Sequence, residues 1–244
     1  MSEPERSDHT ERVRDFLDAI GTRASEAIGR AAVLMGTAMA EGGIIHVTGA
    51  GHSLAMVCET FHRAGGLVPV RPLWHPALLP FCGGPSSDTA ARTPGIGFDM
   101  VMETSPHPPN VMVVFSCNGR EAFPVDVAVF CERNGVPVIA VTSRQAVAQE
   151  TEHTGTRLMD HATVVLDTCV PPDDVTYPPE APRTAAVSTI AAAYLWSHLL
   201  VEIDAQAAIL GLDIPRWVSA EREGAEEVNQ RLLERYGPCI PELL

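Results

Sequence analysis

Aromatic residues are scarce, 5% of the 244-residue chain, and the apolar content comes mainly from Ala, Val and Leu. That balance disfavours an all-β sandwich and favours helices packed on a parallel sheet. Basic residues are also few. With 17 Lys and Arg against 31 Asp and Glu the formal net charge is −14, which excludes nonspecific attraction to nucleic acid or anionic membranes as a basis for function. No uninterrupted apolar run reaches the roughly 18 residues of a membrane span, and MSEPERSDHTER at the start has no apolar segment of the signal-peptide kind. A cytoplasmic location is expected, with no nucleic-acid or membrane partner. The six cysteines, at 58, 82, 117, 131, 169 and 239, form neither a CxxC pair nor a zinc-finger spacing. They are expected to be reduced core residues. There is no internal repeat, no low-complexity segment and no Walker GK[ST].

With 45% hydrophobic and 20% charged residues the chain has the composition of an ordinary folded protein, long enough for one large α/β domain. That domain is expected over residues 10–235, between a disordered N-terminus at 1–9 and a tail at 236–244. From about Thr10 to Ala40 apolar residues recur at three- and four-residue steps, which predicts a long amphipathic helix, broken near Gly21 or Gly29. Its apolar face exceeds what one sheet edge covers, so it is expected to join subunits in a homodimer or larger assembly.

IIHVT at 44–48, the turn GAG and a helix over about 52–64 make the opening of a parallel α/β unit. LVPV at 67–70 reads as a second, edge strand because Pro69 interrupts it. Residues 71–109, rich in Pro and Gly, read as a long connection with a helix near 98–104, a lid over a site or an arm into a neighbour. Further strands are expected at 111–115, 137–141 and 163–167, with helices over about 121–134, 185–210 and 220–235. Right-handed crossovers and an edge position for the second strand give the strand order 2-1-3-4-5.

In such a sheet the ligand crevice opens at the carboxyl ends of the first and third strands, where the winding direction reverses. The segments there are GAGHS at 49–53 and SCNGRE at 116–121. Gly49 and Gly51 allow a tight turn that brings backbone N–H groups to a ligand. Ser53, Ser116, Thr142 and Ser143 supply hydroxyls; Asn118, Gly119 and Arg120 supply an amide, a flexible turn and a positive charge. Several neutral donors with one guanidinium suit a phosphate ester. The dinucleotide fingerprint is absent, since Leu54 stands where its last small residue belongs.

GAGHS, ETFHRAGGLVPV at 59–70, SCNGRE, VIAVTS at 138–143, HTGTRL and VVLDTCVPPDD together resemble the sugar isomerase (SIS) domain proteins over about residues 10–235. The resemblance is nearest to the phosphosugar isomerase-like branch related to phosphoheptose isomerases and N-acetylmuramic acid 6-phosphate etherases. It implies a three-layer αβα, flavodoxin-like fold, homo-oligomers and a phosphosugar ligand. Carried over by position, Ser53, Ser116 and Thr142 hold phosphate, although Cys117 and Asn118 depart from the family's usual second loop.

Aldose-ketose isomerisation needs a base at carbon and an acid/base among the oxygens. Glu59 is the expected base, on the helix where relatives place a glutamate, with His62 or His198 as shuttle. His52 and His153 are expected to touch substrate oxygens or phosphate. No cofactor is expected; a zinc ion held by Glu59, His62, His198 and Glu202 is the alternative, because phosphoheptose isomerases can carry one. Asp173 and Asp174 read as solvated turn residues. A phosphosugar lyase or etherase, or a noncatalytic phosphosugar sensor, would use the same anchoring.

Overall fold

The computed structural model describes residues 3–147 and 154–244. In chain order the elements are α1 (Glu3–Ala40), β1 (Ile45–Gly49), α2 (Leu54–Thr60), β2 (Val70–Leu73), α3 (Gly84–Arg92), α4 (Ile96–Thr104), β3 (Val111–Phe115) and α5 (Ala122–Arg133). They continue with β4 (Val138–Thr142), α6 (Arg144–Val147), β5 (Val164–Asp167), the short pair β6 (Val175–Tyr177) and β7 (Thr184–Ala186), α7 (Ser188–Leu210) and α8 (Ala225–Tyr236). The strands β2-β1-β3-β4-β5 form a parallel sheet in that order, the expected one. Every residue of β1, β3 and β4 is buried, which is why they read as continuous β-branched runs with no alternation.

Three expectations are corrected. First, α1 is unbroken: Gly21 admits the close approach of Tyr194 from α7, whose hydroxyl would lie 2.8 Å from an added Cβ. The apolar stripe Ile20, Ala24, Ile28, Ala31 and Met35 is buried, with α7 and β5 of the same chain packed against α1. Second, the edge strand is Val70–Leu73, not 67–70. Leu67 and Val68 pair instead with the segment at Pro215 and Arg216, and Pro72 takes the edge position. Third, 71–109 is not an open connection. Its glycines bound two short helices, and α4 is docked on α5, where Asp126 accepts the Gly95 N–H at 2.7 Å. Gly97 lies so close to α5 that an added Cβ would be 2.6 Å from the Phe123 carbonyl oxygen. Of the cysteines, Cys131 and Cys169 are buried, while Cys58, Cys82 and Cys239 are exposed; none is in a disulfide.

His46 shows what a polar residue costs in this sheet. On β1 it is 2% exposed, with Nε2 3.3 Å from Nδ2 of Asn110, whose Oδ1 accepts the Ile44 N–H. Burial, reinforced by Arg71 and His107, pushes its pKa from 6.5 down to about 4. Below pH 6.5 the unfolded chain takes a proton that the folded chain refuses. Its contribution is therefore whole above that pH and is lost as pH falls toward 4, by about 3 kcal/mol. Urea unfolding between these limits should show this slope, and His46→Gln should flatten it; an unchanged slope in the variant would assign the effect elsewhere.

Candidate functional site

β1 and β3 end level with each other, Gly49 beside Phe115, and the chain leaves them in opposite directions to α2 and α5. The crevice between these exits has Phe115 as its floor, held edge-on by Trp196 of α7 with ring centroids 6.3 Å apart. Gly51, His52 and Ser53 line one side; Ser116, Cys117, Asn118 and Glu121 line the other. A third wall comes from α3 through Ser87, Asp88 and Arg92. A second pocket shares His52, Ser53, Ser116 and Cys117 and extends to Ser188 and Thr189 at the start of α7.

Glycine at 49 is a packing requirement: an added Cβ would sit 3.0 Å from that of Ser53 and 3.1 Å from the Phe115 carbonyl oxygen. The first loop can therefore lie directly against β3. In the second loop Gly119 has φ 60, and an added Cβ would be 2.9 Å from Oγ1 of Thr142. Ser116 Oγ accepts the Gly119 N–H at 3.1 Å, and Asn118 accepts the Arg120 N–H through Oδ1 while donating through Nδ2 to Glu121. The loop thus fixes the Glu121 carboxylate on the crevice wall.

Not every expected donor reaches the crevice. Thr142 and Ser143 are fully buried. Thr142 lies under the Cys117 carbonyl, and Ser143 donates to the Val170 carbonyl at 2.6 Å while accepting the Ala146 N–H. Both hydroxyls brace loops. Arg120 is buried behind the second loop and does not line the crevice. His153 lies outside the described residues.

The expected catalytic trio is not brought together. α2 ends at Thr60, so Glu59 and His62 do not share a helical face; His62 stands beyond the helix with φ 46 and packs against Trp217. Glu59 pairs with Arg63 and does not line the crevice. His198 is exposed on α7, its ring tilted against that of Tyr194, and Glu202 accepts from Gln206. Among the described residues no three His, Cys, Asp or Glu side chains gather as a metal site, so the four zinc candidates do not fit that ion within one chain.

Sequence reasoning passed over Glu121, Asp88, Arg92 and the pair Asp174–Ser188. Asp174 is no solvated turn residue: Oδ1 accepts the N–H groups of Val187 and Ser188, and Oδ2 accepts the Ser188 hydroxyl at 2.6 Å. Ser188 Oγ in turn lies 3.3 Å from Nε2 of His52. Glu121 was within reach, since it is the last residue of the SCNGRE segment. Burial, then Asp174 and Glu121, push the Cys117 thiol up to about 12. This direction favours the neutral thiol over the thiolate.

The SIS-domain family model matches residues 8–143. UPF0309 protein GK1441 of Geobacillus kaustophilus is 29% identical over 238 residues, 96% of this chain and 95% of that protein. UPF0309 protein lin2794 of Listeria innocua is 30% identical over 233 residues, 94% and 90% of the two chains. Phosphoheptose isomerase GmhA from Neisseria gonorrhoeae has a similar fold, with a TM-score of 0.56 at 20% identity, covering 84% of this chain and 100% of that one. A phosphoheptose isomerase from Francisella tularensis gives 0.54 at 16% identity, with the same coverage. The solved structures share the fold, and the family model, which matches more than half of the residues, shows that the chain belongs to the SIS-domain family.

Proposed function

We propose that this protein is a phosphosugar isomerase that anchors a sugar phosphate in the crevice and moves a proton between adjacent sugar carbons. The observation that carries the proposal is the meeting of Ser53 and Ser116 across the carboxyl ends of β1 and β3, with Glu121 fixed on the same wall. Hydroxyls and helix starts bind a phosphate without a large positive charge, which suits a chain of net charge −14. Arg92 on α3 supplies a cation at the third wall. Glu121 serves as the base: its carboxylate lines the crevice and is held by Asn118, whereas Glu59 is engaged with Arg63.

The proposal includes a homo-oligomer in the cytoplasm. Val201, Ile209 and Leu210 on α7 and Trp74 beyond β2 are exposed apolar groups that a second copy would cover. A stable monomer in sedimentation at micromolar concentration would remove that part. Among the described residues no helix is long and apolar enough to cross a membrane.

Incubation of the purified protein in deuterated water with hexose, heptose and amino-sugar phosphates, followed by mass spectrometry, tests the reaction. An isomer with deuterium at the carbon next to the carbonyl is expected from at least one substrate. Loss of a substituent would make the protein a lyase, and binding without exchange or turnover would make it a sensor.

A further inference from the structure

The geometry points to His52 as a proton-transferring catalytic residue of this crevice, with Ser188 and Asp174 as its positioning residues. The inference rests on the isomerase reading and assigns its oxygen-to-oxygen proton step, which Glu121 does not perform. The three groups stand in series. The Asp174 carboxylate accepts the Ser188 hydroxyl at 2.6 Å, and the oxygen of that hydroxyl is 3.3 Å from Nε2 of His52. Ser188 is 7% exposed, whereas His52 is exposed and lines the crevice. The series runs from a sheltered carboxylate to a ring that a ligand can touch.

The direction of these hydrogen bonds fixes the imidazole. An ionised carboxylate only accepts, so the single hydroxyl proton of Ser188 is committed to Asp174. Its oxygen is left as an acceptor, and His52 must donate to it from Nε2. In the neutral ring the lone pair then resides on Nδ1, the nitrogen left for a ligand. Asp174 cannot easily swing away, because its other oxygen accepts the Val187 and Ser188 N–H groups at 3.0 and 2.7 Å and so caps α7.

This arrangement suits one step. Once Glu121 has taken the proton from C2 of an aldose phosphate, O1 of the enediolate carries the negative charge. Nδ1 accepts the proton of the O2 hydroxyl, and the imidazolium returns it to O1. The C2 carbonyl forms as C1 takes the proton held by Glu121. One O–H bond breaks and one forms, the C–H proton moves from C2 to C1, and no external oxidant or reductant enters. The imidazolium faces the Asp174 charge through Ser188. The other ionisable groups at the crevice are Asp88 and Arg92 from α3, and Glu121 and Cys117 after β3.

Three variants, His52→Gln, Ser188→Ala and Ser188→Thr, test this with the substrate that the wild type turns over. His52→Gln should lower isomer formation by about a hundredfold or more while C2 deuterium exchange continues, because only the oxygen step is lost. Ser188→Ala keeps the Asp174 cap on α7 but cuts the series. It should lower turnover several-fold and move the acid limb of the kcat/KM profile to lower pH, and Ser188→Thr should restore both. Wild-type turnover with an unchanged rate in His52→Gln, or an unmoved acid limb in Ser188→Ala, would overturn this inference and leave the isomerase reading intact. A wild type without exchange or turnover on any sugar phosphate would overturn the isomerase reading and this inference with it.

Discussion

Glu121→Gln is expected to lower turnover by about a hundredfold to ten-thousandfold while phosphosugar affinity is kept, the usual cost of losing a positioned base. The side chain keeps its shape and can still meet Asn118, which now holds Glu121 at 3.2 Å. What disappears is a carboxylate that accepts a proton from carbon. Exchange of the substrate proton with solvent should fall in step with turnover, which separates this variant from His52→Gln. Glu59→Gln is the matched comparison. Glu59 sits one residue before the end of α2, is paired with Arg63 and is absent from the crevice wall. An exposed pair of this kind contributes little to stability, so turnover in Glu59→Gln should stay close to that of the wild type. Rates that show the opposite, with Glu59→Gln inactive and Glu121→Gln active, would move the base onto α2.

The sheet order and the place of the crevice were legible because both follow from local signals: β-branched runs, glycine turns and the handedness of crossovers. The misread parts depend on contacts between distant segments. Pro69 looked like an edge residue within a strand, but Leu67 and Val68 are claimed by the segment at Pro215 and Arg216, and the strand begins one residue after the proline. In 84–104 the helices are nine residues each, and α4 is held by Asp126 and the close fit of Gly97 against α5, which no periodicity within the segment records.

The same division runs through the site. GAGHS and SCNGRE identify themselves by composition. Composition does not say which hydroxyl faces a ligand and which supports a loop, and so Thr142 and Ser143 read like Ser53 and Ser116 although their hydroxyls turn to backbone carbonyls. A helix over 52–64 would set Glu59 and His62 on one face, whereas α2 stops at Thr60. The Asp174–Ser188–His52 series spans 136 residues between its last two members and leaves no local pattern.

The central claim is that a sugar phosphate is anchored between the loops at 49–53 and 116–121. Its most direct test is calorimetric titration of an accepted sugar phosphate into the wild type and Ser53→Ala/Ser116→Ala, with circular dichroism confirming that both are folded. A hydrogen bond to a charged group is worth about 1.5–3 kcal/mol, so losing two should weaken binding by about a hundredfold or more. Ser116→Ala also releases the Gly119 N–H that its hydroxyl now holds at 3.1 Å, which loosens the second loop and acts in the same direction. A loss of that size in a folded variant is the predicted result; equal affinity in the two proteins would contradict the account and place the phosphate elsewhere.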